Sequence, residues 1–169
     1  GRSPMNWDVV VLKLATDTGI TGHATALAAR SSIVTQAYLH ENIAPVVIGR
    51  SPVEREAIWH ELWTIDRHLT FFPVYLHGPV DVALWDIAAQ DAGLPLYQFI
   101  GACRASLPTY ASSLFMAKTE DYVKQLRAYK KRGFPAYKAH PLGRWRKDIE
   151  IHRALREAAG GDYVLMTDP

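Results

Sequence analysis

The sequence predicts an α+β part followed by a β/α series of the kind that builds a barrel. Three observations carry this: a hairpin pattern near the start, helical patterns to about residue 105, and alternating strand and helix patterns from about residue 106. The last stretch holds the most informative short run, Ala136-Tyr137-Lys138-Ala139-His140-Pro141. Successive side chains of a strand point to opposite faces, so Lys138 and His140 project together while Tyr137 and Ala139 pack the other way. A second run, Tyr163 to Asp168, ends on a carboxylate, and Arg146 to Ala159 between them has helical spacing through Ile149, His152, Arg153 and Arg156 before Gly160-Gly161. In a β/α barrel the C-terminal strand ends form the active face, and Lys138, His140 and Asp168 all stand at such ends.

The earlier elements come in order. Trp7 to Ala15 is rich in β-branched residues, Asp17-Thr18-Gly19 supplies a turn, and Ile20 to Ala24 returns, which makes a hairpin. Ser31 to Val47 carries apolar residues at helical spacing and closes at Pro45 and Gly49. Ser51-Pro52-Val53-Glu54 reads as a capping box opening a helix to about Trp63. Thr64 to His77 has no clean period and reads as irregular, so His68 and His77 become candidate loop contacts for a substrate. Gly78 to Gly93 is a helix with the stripe Val80, Ala83, Leu84, Ile87 and Ala88, and Leu96 to Ile100 is a further short one. Leu107 to Ser113 is a strand, and Thr119 caps a helix running through Tyr122 and Leu126 to Gly133.

The 169 residues are 49% hydrophobic and 21% charged, which is an ordinary globular composition with material for a sizeable core. A formal charge of +2, with basic residues spread over several segments, gives no reason to expect nucleic acid or a membrane surface as partner. Lys130-Lys131-Arg132 is better explained by the dipole at a helix C-terminus. No apolar run approaches the roughly 20 residues of a membrane span. A lone Cys103 and the absence of a leader pattern lead us to expect a reducing, cytoplasmic setting.

Gly78-Pro79-Val80-Asp81-Val82-Ala83-Leu84-Trp85-Asp86-Ile87-Ala88, followed by Gly93-Leu94-Pro95-Leu96 and Ile100-Gly101, resembles the signature helix of the enolase superfamily, in its mandelate racemase and muconate lactonizing enzyme branch. Thr18 to Gly22 and Ile48 to Pro52 support the likeness, which extends to Asp168. The resemblance implies an α+β capping domain over residues 1–105, its first strand expected before Gly1. Residues 106–169 are then the first three strands of a modified, incomplete β/α (TIM-like) barrel. By similarity, Lys138-x-His140 occupies the place of the family's pair at the end of strand two, although the racemases carry lysine where His140 stands. Asp168 matches the first of three carboxylate ligands for Mg²⁺, the other ligands being expected beyond Pro169. Ser112 matches a strand-one position that can touch the substrate carboxylate. Asp81, Trp85 and Asp86 read as packing and interdomain hydrogen bonding.

The implied chemistry is removal of the proton α to a carboxylate, giving an enediolate whose charge Mg²⁺ offsets. Lys138 or His140 is the expected base, each a cationic neighbour that favours the neutral form of the other, and the remaining member contacts a small-molecule carboxylate substrate. Dehydration of a sugar acid to a 2-keto-3-deoxy acid is the favoured outcome, with racemisation, epimerisation or cycloisomerisation as alternatives in the same superfamily. His23, after the hairpin glycines, is a further candidate substrate contact, its plain alternative being an exposed polar residue. Two readings compete from outside: a Schiff-base aldolase using Lys138, and an inactive relative kept for assembly. Unclosed strand edges lead us to expect a homo-oligomer.

Overall fold

A computed structural model describes residues 8–28, 31–69 and 76–168. The chain divides into two compact units, Gly1–Cys103 and Arg104–Pro169.

The first unit opens with the antiparallel pair β1 (Val9–Ala15) and β2 (Thr21–Leu27), in a register that puts Leu12 opposite Ala24. Gly19 takes a φ of 86°, and Thr16 N–H donates to the Ile20 carbonyl at 2.9 Å, closing the turn that Asp17-Thr18-Gly19 anticipates. Val10 and Ala26 point inward and are buried. The predicted helix from Ser31 becomes three pieces: α1 (Ser32–Tyr38), a π-helical turn over Leu39–Ile43, and α2 (Ala44–Val47). Pro45 explains the break. Without an N–H it cannot serve the Glu41 carbonyl, and the Ala44 N–H reaches back to Leu39 instead.

The capping box forms only in part. Ser51 Oγ accepts from Val53 N–H at 3.4 Å, but Glu54 turns to Arg50, with oxygen to nitrogen distances of 2.8 and 3.1 Å. A 3₁₀ turn, Pro52–Glu54, leads into α3 (Arg55–Leu69), which continues past Trp63 through half of the stretch read as irregular. Ile58 and Leu62 anchor it in the core, and packing outweighs the weak period of the residues after Trp63. Residues 70–75, and the side chain of His68, lie outside the described residues.

Helix α4 (His77–Asp91) carries the signature sequence, and its buried stripe is Val80, Ala83, Leu84 and Ile87, with Ala89 rather than Ala88. His77 is no loop contact: it is 1% exposed at the start of this helix, with Nε2 3.2 Å from the Tyr38 hydroxyl. Asp86 accepts from the backbone N–H of His23 at 2.9 Å, and Asp81 is bonded to Trp85, whose ring lies 4.3 Å below the Arg55 guanidinium. These partners all lie within the first unit. The short α5 (Leu96–Phe99) ends the unit. Gly22 sits against α4 so closely that a Cβ there would lie 2.1 Å from the Ala83 carbonyl oxygen.

The second unit is a three-stranded parallel sheet in the order β3 (Ala111–Ser112), β4 (Ala136–Ala139), β5 (Val164–Thr167), with α6 (Thr119–Lys131) and α7 (Trp145–Ala159) as the crossovers. The strand expected over Leu107–Ser113 shrinks to two ladder residues. Pro108 has no N–H to give, and Leu107 and Tyr110 are exposed. Thr119 is the first helical residue and not the cap, which is Lys118; its hydroxyl donates to Glu150 on α7 at 3.1 Å. The buried face of α7 is Ile151, Leu155 and Ala159, one turn apart each time, while Ile149 is exposed. Together with Tyr122, Leu126, Tyr137 and Ala139 they form the core of this unit. Each of the fully buried Leu126, Ile151 and Leu155 side chains contributes about 1.5–3 kcal/mol from burial. No helix among the described residues is long and apolar enough to cross a membrane.

Candidate active site

The alternation in β4 sorts its residues by role. Tyr137 and Ala139 are completely buried under α6 and α7. Lys138, and His140 just beyond the strand, face the other way with about a quarter of each side chain exposed. In the neighbouring strand Thr167 pairs with Ala139, so Asp168 emerges directly beside them, its N–H donating to the Ala139 carbonyl at 3.0 Å. Asp168 Oδ2 lies 2.6 Å from Lys138 Nζ and 3.5 Å from His140 Nε2. On the other flank, Ser112 Oγ is 3.5 Å from His140 Nδ1. Leaving aside the two loop candidates His68 and His77, four of the five residues singled out in the sequence are thus gathered at one end of one sheet. The fifth, His23, stands on β2 in the first unit, held at Asp86 by its N–H and with its ring 3.9 Å from the same carboxylate oxygen.

The electrostatics correct one expectation. Lys138 is not driven toward its neutral form, because a carboxylate stands beside it. The hydrogen-bonded Asp168 carboxylate raises the Lys138 pKa above the ordinary lysine range, and the same contact holds Asp168 below the usual carboxylate range. Lys138 is therefore kept charged in this arrangement.

Several contributors carry no signal in the sequence. Ser113 Oγ accepts the His140 N–H at 2.9 Å, and the Tyr122 hydroxyl donates to the His140 carbonyl at 2.7 Å. Phe115 meets the His140 ring edge-on at 6.0 Å between centroids, and Lys138 lies 6.0 Å from the Tyr110 ring centre. Tyr122 is visible in the sequence only as one member of an apolar helical stripe, which gives no sign of where its hydroxyl goes.

Among the described residues no three His, Cys, Asp or Glu side chains converge on a point that could hold a cation. Asp168 offers a hard oxygen donor of the kind Mg²⁺ takes, and the described residues bring no further carboxylate beside it.

Residues 3–101 match the family described as mandelate racemase / muconate lactonizing enzyme, N-terminal domain. The chain belongs to that family. It is 43% identical over 94 residues to a D-galactonate dehydratase family member, RspA, of Halomonas elongata, a stretch that is 54% of this chain and 23% of that protein. It is 34% identical over 131 residues to a D-mannonate dehydratase of Caulobacter sp. strain K31, covering 75% of this chain and 32% of the other. The crystal structure of a racemase from Streptomyces coelicolor A3(2) with bound magnesium superposes with a TM-score of 0.90 at 23% identity, over 99% of this chain and 52% of that one, a likeness of fold. The chain thus spans about a quarter to a third of these curated relatives. An α+β capping domain followed by part of a β/α barrel is the architecture of the enolase superfamily, and the three-stranded parallel sheet is the barrel part present.

Proposed function

We propose that this chain supplies the capping domain and the first catalytic strand ends of a sugar-acid dehydratase, a lyase that removes the proton α to a carboxylate and yields a 2-keto-3-deoxy acid. The observation that carries the reading is the convergence of Lys138, His140 and Asp168 at adjacent strand ends. The names of the relatives, D-mannonate dehydratase and D-galactonate dehydratase family member, support the substrate class.

Ser112 and one of the basic pair hold the substrate carboxylate, and the other basic side chain accepts the α-proton. The electron pair of the broken C–H bond moves into the carboxylate to give the enediolate. Its return expels the β-hydroxyl, which takes a proton and leaves as water, and the resulting enol tautomerises to the 2-keto acid. Magnesium, held by Asp168 together with carboxylates from outside the described residues, would supply the positive charge that offsets the enediolate. Lys138, whose Nζ lies 2.6 Å from Asp168 Oδ2, would give up that contact to serve as the base.

The test is α-proton exchange of sugar acids in D₂O, followed by NMR with and without magnesium, on a sample whose intact mass has been measured. Magnesium-dependent exchange supports the assignment. Absence of exchange from a protein of full family length, across mannonate, galactonate and their epimers, would overturn it.

A further inference from the structure

We infer that Tyr122 is a positioning residue that fixes the His140 strand end and the loop carrying Phe115 as one unit. This rests on reading His140 as part of the proton-transfer site. Tyr122 belongs to α6, is 0% exposed, and adds a second link between the end of β4 and a segment that Ser113, three residues before Met116, already joins to it. Its hydroxyl donates to the His140 carbonyl at 2.7 Å and accepts the Met116 N–H at 2.8 Å. One atom therefore joins the end of β4 to the segment between β3 and α6.

The neighbouring bonds give this joint a function. His140 N–H is held by Ser113 Oγ at 2.9 Å, so both backbone groups of His140 are fixed by buried side chains. Phe115 precedes Met116, is 63% exposed, and touches the imidazole edge-on. An exposed aromatic ring has little of its own to hold it there. Its position is set by the Met116 N–H bond one residue later. Without the hydroxyl, the His140 carbonyl and the Met116 N–H each lose a buried partner, and the wall that Phe115 makes beside the imidazole is free to leave. Precision at His140 is thus set from the far side of the sheet by a residue that never reaches the substrate.

The experiment is NMR on the purified protein, its Tyr122→Phe variant and a Tyr163→Phe control. Tyr163 also donates a part-buried hydroxyl to a backbone carbonyl, that of Phe134 at 2.8 Å, but at the opposite ends of the strands. In Tyr122→Phe the Phe115–His140 ring contact should disappear, and exchange of the Met116 amide should quicken on the order of ten-fold, with Leu126 amide protection retained. In Tyr163→Phe both signals should match the parent. Retention of the ring contact and of Met116 protection in Tyr122→Phe overturns the proposal. Should that variant not fold, the parent decides: a Tyr122 hydroxyl proton exchanging slowly and coupled through space to the Met116 amide supports the clamp, and one exchanging like an exposed phenol overturns it. None of these readouts needs turnover, so a protein inactive towards sugar acids would fail the reaction assignment while leaving this one to stand or fall alone.

Discussion

Lys138 Nζ and Asp168 Oδ2 are 2.6 Å apart across the ends of adjacent parallel strands, and each moves the other's proton affinity away from its ordinary value. Lys138 is raised, so its share of any stabilisation is present below the ordinary lysine range and lost as pH rises through its folded value. Asp168 is lowered, so its share is present above the ordinary carboxylate range and lost as pH falls through its folded value. Asp168→Asn keeps the shape and removes the charge. The Lys138 pKa should then fall, as read from ¹³C-labelled lysine, and α-proton exchange should drop by at least about 100-fold. An unchanged Lys138 titration would refute the electrostatic account.

Lys138→Met and His140→Asn separate chemistry from folding. Both side chains face away from the core, so each variant should lose exchange by roughly 10²–10⁴-fold. Each should keep its denaturation midpoint within about 0.5 kcal/mol of the parent. Loss of fold in either would mean that the face they share is structural after all.

Tyr137 predicts the alkaline behaviour. Burial pushes its phenol up from 10.0 to about 12. Between those values the folded state binds the proton that the unfolded state has released, so stability falls as pH rises through that window. Tyr137→Phe should flatten this limb in urea melts measured from about pH 9 to about pH 12, whatever it costs at neutrality.

Gly22→Ala tests the contact between β2 and α4. The added Cβ would meet the backbone carbonyl of Ala83 and the side chain of Ile87, at 2.1 and 2.8 Å, and a helix backbone cannot step aside as a side chain can. A loss of about 3 kcal/mol in the first unit is expected, since overpacking of this kind costs roughly 1–3 kcal/mol or more. Urea denaturation followed by tryptophan fluorescence reads it.

The candidate site was legible because it rests on a property of the backbone. Period-two alternation in Ala136–His140 places Lys138 and His140 together whatever packs around them. What the sequence did not disclose was the register between strands. That Asp168 lands against Lys138 is a result of Thr167 pairing with Ala139, a matter of tertiary packing, and it moves the Lys138 pKa up where the sequence led us to expect it down. Boundaries were lost for a related reason. Helix α3 runs past Trp63 because packing, and not local pattern, carries it on, and Pro108 leaves β3 with two ladder residues for want of a donor. The Ser51 capping box failed on a competition invisible in a four-residue motif, since Arg50 offers Glu54 a stronger partner than a backbone N–H.

The alternation over residues 137–140, with Tyr137 and Ala139 buried and Lys138 and His140 on a partly exposed face, has an engineering consequence. Changes of size at positions 137 and 139 meet the packed core, while 138 and 140 lie on the opposite, partly exposed face. A two-codon library at 138 and 140 varies the groups beside Asp168 while leaving the buried Tyr137 and Ala139 in place. Parity along four residues separates what can evolve quickly from what must stay.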